Sequence, residues 1–272
     1  MVKILKSAGH TVAMTGDGVN DVLALKEADC SVAMASGSQA AVQASQLVLL
    51  ESDFARMPQI VKEGRQVVNN LERSGSLFLV KNIFSFIGAI LSISFGMIYP
   101  LVPTQVSLVT MFTIGVPSFF LAQIPNQNLI KGNFILNVLS KATPAAITNV
   151  IIIWLLVLVS QIFHIGRLQL GMLCVLAWEV VGIIYLYRVC RPFDNIWKKL
   201  IVGGCSFGML FCMIFLQDLF GITFELSVFE WGIFGVTAGL VLPIMVLSER
   251  ILGYLYFHFF MDVIQKKLVD KD

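Results

Sequence analysis

Asp17 and Asp21 stand four residues apart in Thr15-Gly16-Asp17-Gly18-Val19-Asn20-Asp21, two carboxylates and an amide bracketed by glycines. Carboxylate and amide oxygens are hard donors, and Mg²⁺ takes one or two such carboxylates while sharing its remaining positions with water and phosphate. Glycines let backbone come close to an anion, and a helix starting just downstream offers unpaired N–H groups to it. The pattern therefore points to magnesium-assisted phosphate chemistry, with Asp17 and Asp21 as metal-site candidates and Thr15, Gly16, Gly18 and Asn20 completing the loop. A lone Asp-Gly turn followed by an Asn or Asp cap would have a purely structural explanation. The full heptad is far more specific than that.

Such a loop needs rigid flanks. The apolar run Thr11-Val12-Ala13-Met14 before it reads as a strand and Val22-Leu23-Ala24-Leu25 after it as the start of a helix. Strand, tight loop and helix is the unit of a parallel α/β sheet, whose ligands collect beyond the carboxyl ends of the strands.

Thr15 to Leu25 resembles the hinge motif of P-type ATPases, ion pumps whose phosphorylation domain is of the haloacid dehalogenase type. The likeness continues through Ala33-Met34-Ala35-Ser36-Gly37, the apolar strand Leu47 to Leu50, and Glu63-Gly64-Arg65 to Asn69-Asn70. The resemblance implies that Asp17 coordinates Mg²⁺ and that Asn20 and Asp21 support the phosphoryl group and the metal. It also implies a phosphorylated aspartate in an Asp-Lys-Thr-Gly-Thr string and a Thr-Gly-Glu dephosphorylation motif, and neither string occurs here. Phosphoryl transfer needs its nucleophile, so the chain alone is expected not to turn over ATP. It is expected to be the carboxyl-terminal portion of a pump that uses ATP and Mg²⁺. Its partners would then be the transported cation and the pump's nucleotide-binding domain, actuator domain and first four membrane helices.

Composition calls for a bilayer independently: 57% of residues are hydrophobic and 13% charged, with a mean hydropathy of +0.83. Six runs are long enough to span about 20 residues of membrane, at 77–99, 104–123, 143–163, 168–187, 199–217 and 229–248. The expected fold is a membrane all-α bundle of six transmembrane helices preceded by a partial α/β haloacid dehalogenase-like domain. Its divisions are 1–53 for the partial domain, 54–75 for a stalk helix, 76–250 for the bundle and 251–272 for a tail. Pro58 suits a first helical turn of that stalk.

Basic residues concentrate in alternate loops: Lys131 and Lys141, then Arg188, Arg191, Lys198 and Lys199, then Arg250, Lys266 and Lys267. The bias of Lys and Arg to the cytosolic side puts both termini in the cytosol of a multi-pass cell-membrane protein. No secretory leader is read in Met1 to Gly9. A net charge of +2, explained by loop topology, gives no reason to expect a nucleic-acid partner.

An ionisable residue at mid-span costs roughly 2.5 to 3.5 kcal/mol and marks function or pairing. Glu179 lies near the centre of the fourth span and is the first candidate ligand for a transported ion, whereas Lys81 can snorkel to an interface. By resemblance to calcium pumps, Asn82 keeps an ion-ligand asparagine but Ser85 replaces a glutamate, and Thr113 keeps a threonine while Thr110 replaces an asparagine and Ile114 an aspartate. The candidate set is Asn82, Ser85, Thr110, Thr113 and Glu179, with carbonyls near Gly115-Val116-Pro117. The pattern is most similar to the bacterial calcium-transporting E-type branch. A pump for Mg²⁺, Mn²⁺, K⁺, Na⁺ or H⁺, a truncated non-catalytic membrane protein and a membrane-anchored phosphatase stand as alternatives.

Five cysteines show no Cys-x-x-Cys or Cys-Pro-Cys spacing, and His10, His164 and His258 are isolated, which argues against thiolate, zinc or disulfide chemistry. Asn149 and Gln161 are expected to hydrogen-bond between helices, and Gly203, Gly204, Gly232, Gly235 and Gly239 to mark close helix approach.

Overall fold

The computed structural model describes residues 1–97 and 99–269, those from 257 onward by backbone alone. The side chains of His258, Lys266 and Lys267 and the last residues of the tail lie outside the described residues. The chain divides into two compact units, Met1–Gly64 and Arg65–Asp272.

The first unit runs α1 (Val2–Ser7), β1 (Ala13–Gly16), a 3₁₀ turn (Val19–Asp21), α2 (Val22–Glu27), β2 (Cys30–Met34), α3 (Gln39–Ala44) and β3 (Leu47–Leu49). The three strands form a parallel sheet in the order β1-β2-β3. Strand β1 pairs with β2 from Ala13 opposite Cys30 to Gly16 opposite Ala33. Leu25, Val32, Ala33, Ala41 and Leu49 make its buried apolar centre. The strand expected at Thr11–Met14 thus sits two residues later, and Thr15 and Gly16 belong to the strand rather than the loop. The cause is a contact 17 residues away in the chain: the Val12 N–H is taken by the Asp29 carboxylate at 2.9 Å instead of a neighbouring strand.

Six helical segments are long and apolar enough to cross a membrane among the described residues. The first is α4 (Met57–Phe95), a single helix of 39 residues, about 58 Å long at 1.5 Å per residue. It runs through 57–75 and on into the first apolar run as one helix, residues 54–56 forming a separate 3₁₀ turn before it, and Pro58 occupies its second position, where no intrahelical N–H is needed.

The second span is broken into α5 (Pro103–Thr110), a wide π turn at Met111–Gly115, and α6 (Val116–Gln123). Pro117 has no N–H to give, and the π turn lets the chain continue past it with Val116 bonding back to Met111. The third, α7 (Phe134–Phe163), begins nine residues before the expected limit of 143 because the Asn133 side chain caps the Ile135 N–H at 2.9 Å. Pro144 lies inside that helix, and the neighbouring Thr143 and Thr148 hydroxyls donate to the Leu139 and Pro144 carbonyls.

The fourth, α8 (Arg167–Cys190), is the centre of the bundle: Met172 through Ala177 are all buried, as expected of a helix apolar on every side. After it come α9 (Ile196–Phe215), the short α10 (Gln217–Phe220) and α11 (Val228–Val269), whose backbone continues well past the expected limit of 248.

Packing corrects the reading of the small residues. Side chains added at Gly203, Gly204, Gly232, Gly235 or Gly239 would meet nothing within 4 Å, so these are not close approaches. The tight contacts are elsewhere. A Cβ at Gly182 would strike the Thr113 methyl, one at Gly208 would lie 2.5 Å from the Phe112 ring, and one at Gly171 would lie 2.9 Å from Gln105. Glycines on α8 and α9 therefore seat α5 and the π turn. Asn149 is likewise unlike its expectation, since both polar atoms of its amide are buried without a hydrogen-bond partner, and Gln161 is exposed.

We expect Gly182→Val to cost about 1–3 kcal/mol of stability through overpacking, while Gly203→Ala stays neutral or gains up to about 1 kcal/mol of helix propensity. Thermal unfolding in a mild detergent reads both, and an unaltered Gly182→Val would contradict the contact.

Candidate functional site at the end of β1

Strand β1 ends at Gly16, and Asp17 is the first residue beyond it. Its carbonyl accepts the Ser38 N–H at 2.7 Å, and a Cβ on Gly37 would come within 2.6 Å of that same oxygen. Only glycine at 37 lets the loop after β2 close on the loop after β1. Ser38 also caps α3 through its side chain, accepting the Ala41 N–H at 3.2 Å.

The second carboxylate is held differently. A Cβ on Gly16 would lie 2.6 Å from the Asp21 Cβ, so glycine there opens the space into which Asp21 folds. Asp21 Oδ2 then accepts the Gly18 N–H at 3.1 Å and closes the turn. One Asp21 oxygen is therefore committed to shaping the loop. The exposed Asp17 and Asn20 side chains make no hydrogen bond or ion pair among the described residues. Thr15 is half-buried in the strand opposite Val32.

The structure thus places Thr15 and Gly16 at the end of β1 and Asp17, Gly18, Asn20 and Asp21 in the loop and turn that follow it. No group of three or more His, Cys, Asp or Glu among the described residues could hold a metal. The donor set of this loop, two carboxylates and an amide, still fits Mg²⁺, which completes its shell with water and phosphate oxygens.

The candidate ion ligands of the bundle are less well gathered. Glu179 is 5% exposed on α8 and has no hydrogen bond or ion pair among the described residues. One turn along, Gly182 receives Thr113, whose hydroxyl donates to its own helix at Val109 O, 2.8 Å. The Thr110 hydroxyl does the same to Val106 O at 2.8 Å. The Phe84 ring of α4 packs against Trp178 at a tilt of 52°, with centroids 4.6 Å apart. Asn82 is two positions away, about 200° around the helix, and is exposed, while Ser85 is half-buried. Thr113 and Glu179 are therefore neighbours through Gly182, and Asn82 faces away from them.

No protein-family model matches the chain. Curated proteins do. It is 34% identical over 260 residues to the "Probable cation-transporting ATPase exp7" of Streptococcus pneumoniae, covering 92% of this chain and 33% of that protein. It is 36% identical over 237 residues to the "Calcium-transporting ATPase CtpE" of Mycolicibacterium smegmatis, covering 81% of this chain and 30% of the relative. With the protein of the same name from Mycobacterium bovis it shares 45% identity over 154 residues, 53% of this chain and 19% of the relative.

The chain belongs to the P-type cation-transporting ATPases. It spans about a third of the length of the first two relatives. For a P-type ATPase with six apolar helices after a small parallel sheet, a multi-pass place in a membrane follows directly.

Sequence reasoning missed the polar residues that hold this portion of the P-type ATPase together. Glu72 is buried and pairs with Lys141. Gln105 is buried and donates to the Gly221 carbonyl at 2.9 Å. Lys198, counted among the loop bases, is 3% exposed and pairs with Asp194 at 2.6 Å. Separations of 69 and 116 residues hide the first two, but Asp194 and Lys198 are one helical turn apart and could have been read as a pair.

Asp29 anchors the strand that ends in the site. Its carboxyl is held below the usual carboxylate range, first by the Val12 N–H and then by Lys6, 3.1 Å away. A lowered folded-state pKa contributes stability above the unfolded value and loses it as pH falls through the folded value. Carboxyl ¹³C shifts should therefore give Asp29 a midpoint below about 3.9, and Asp29→Asn should remove that acid-side loss. A midpoint at or above the ordinary value would contradict the anchor.

Proposed function

We propose that the chain supplies part of the phosphorylation domain and six membrane helices of a pump that couples ATP hydrolysis to cation transport, with Ca²⁺ as the cargo. The observation that carries the reading is the strand-end loop, where the Asp17 carboxylate is left unengaged by a backbone clamp that uses only its carbonyl. Asp17 and Asp21 would hold Mg²⁺, with Asn20 beside them, and Gly16 and Gly18 would admit a phosphoryl group. Mg²⁺ bound there would neutralise charge on the transferring phosphoryl oxygens. The nucleophile would come from the remainder of the pump, as would the nucleotide-binding and actuator domains and four more helices.

In the bundle, Glu179, Thr113, Thr110, Ser85 and Asn82 would contribute to the ion path. Glu179 is the buried carboxylate of the set, and burying one without a partner is costly unless a cation completes it. Calcium is favoured by the names of the CtpE relatives. A pump for Mg²⁺, Mn²⁺, K⁺, Na⁺ or H⁺ is the second reading, favoured by Ser85 and Ile114 standing where calcium pumps carry carboxylates. Lys and Arg bias in the loops supports cytosolic termini in the cell membrane.

In the complete pump, Asp17→Ala should lower ATP-dependent phosphoenzyme formation by about 100-fold or more, the scale for losing one stabiliser of a transferring group, with membrane insertion intact. Normal turnover would sink the assignment. Glu179→Gln should raise the half-activating concentration of the transported ion about tenfold, near 1.4 kcal/mol, in ATPase assays run against Ca²⁺, Mg²⁺, Mn²⁺, K⁺ and Na⁺. Unchanged ion dependence would remove Glu179 from the site.

A further inference from the structure

One end of the bundle holds a cavity of about 610 Å³, entirely within the second unit. Its walls come from α4 near Arg73, the segment 126–131, the first turns of α7, the last turns of α8 and Glu249 of α11. This is the end that carries the basic loops. The long apolar stretches of the helices begin just past it, at Leu77 on α4 and Ala142 on α7.

Charge in the cavity is unbalanced. Five basic side chains line it, Arg73, Lys131, Lys141, Arg188 and Arg191, against the acidic Glu72 and Glu249. Both carboxylates are already engaged: Glu72 with Lys141 and the Asn137 amide, and Glu249 with Arg188. Among the described residues Arg73, Lys131 and Arg191 make no direct ion pair, and Arg73 feels the Asp194 and Glu72 carboxylates only through space. Arg73 Nη1 is buried without a hydrogen-bond partner among the described residues, and the Tyr185 hydroxyl on the same wall faces Ser76.

The cavity is built rather than incidental. Arg191 is held over the Tyr187 ring, 4.8 Å from its centroid, and its Nη2 donates to the Tyr187 hydroxyl at 3.0 Å. The loop bearing Lys131 is pinned by Asn137 Nδ2 donating to the Lys131 carbonyl at 2.7 Å. Asn69 Nδ2 fixes the same loop upstream, donating to the Asn126 and Asn128 carbonyls at 2.9 and 3.0 Å.

Guanidinium groups present a planar fork matched to phosphate oxygens, and basic pockets between membrane helices at the headgroup level take anionic lipid heads. We propose that this cavity binds a phosphate group, that of an anionic phospholipid, with Arg73 and Arg191 as its principal ligands and Lys131 at the mouth. The half-buried Arg73 and the exposed Arg191 and Lys131, lining one cavity without a direct ion pair among the described residues, are the charge that a phosphate would balance. The site is separate from the strand-end loop and does not depend on the transport reading.

Native mass spectrometry of the full chain in neutral detergent tests it, with phosphatidylglycerol, phosphatidylcholine or inorganic phosphate supplied separately. Retention of one phosphatidylglycerol per chain is expected, about tenfold or more over phosphatidylcholine. Arg73→Gln with Arg191→Gln should reduce retention by about the same factor, and Lys131→Gln by less. Lys199→Gln, exposed and outside the cavity, should leave it unchanged, and circular dichroism should show equal helicity in all variants. Equal retention of the two lipids, or full retention in the double variant at equal helicity, would overturn the proposal. Displacement of the lipid by millimolar inorganic phosphate would overturn the lipid source and assign the cavity to a soluble phosphate.

Discussion

The hydrogen bond from the Ser38 N–H to the Asp17 carbonyl ties together the loops that leave β1 and β2, and it is possible only because position 37 has no Cβ. It fixes the backbone of Asp17 through its carbonyl and leaves the exposed carboxylate without a partner among the described residues. Asp21 is fixed by the opposite means, its side chain spent in part on the Gly18 amide, in space that Gly16 leaves open. A carboxylate held by its main chain and one held by its side chain thus sit on a single loop. Substituting either glycine would move an acid while leaving its chemistry intact, which is why Gly16 and Gly37 are positioning residues.

The bundle uses the same device on a larger scale. Gly182 of α8 admits Thr113, and Gly208 of α9 admits Phe112, so the broken stretch of the second span is seated against two helices at its point of widest turn. Glu179 lies one turn from Gly182 in the most buried helix of the bundle. A π turn, a buried carboxylate and two glycine contacts therefore coincide at one level of the bundle. Local departures from regular helix concentrate where a fold does something besides pack.

The sequence carried a great deal of this and failed in intelligible places. Six spans and the strand-loop-helix unit were legible because apolar periodicity and length are local properties. The two-residue shift of β1 was not, because it depends on the Asp29 side chain reaching Val12 across the chain. Glycine roles are hidden for a related reason: Gly203 and Gly235 look the same in sequence as Gly182, yet only the last has a neighbour in its Cβ position. Resemblance groups Asn82 with Glu179, but the packing of Phe84 on Trp178, which leaves Asn82 outward, cannot be inferred from either residue alone. The cavity lined by Arg73 and Arg191 was invisible because its charges come from four helices and a loop.

The central claim is that the Asp17 loop is a divalent-metal site, and Mn²⁺ standing in for Mg²⁺ tests it most directly. With the isotopically labelled chain in lipid nanodiscs, substoichiometric Mn²⁺ should broaden the amide resonances of Gly16–Asp21 and Ser36–Ser38 selectively, and Asp17→Asn should abolish that broadening. Broadening that is absent, or that persists unchanged in Asp17→Asn, would contradict the account.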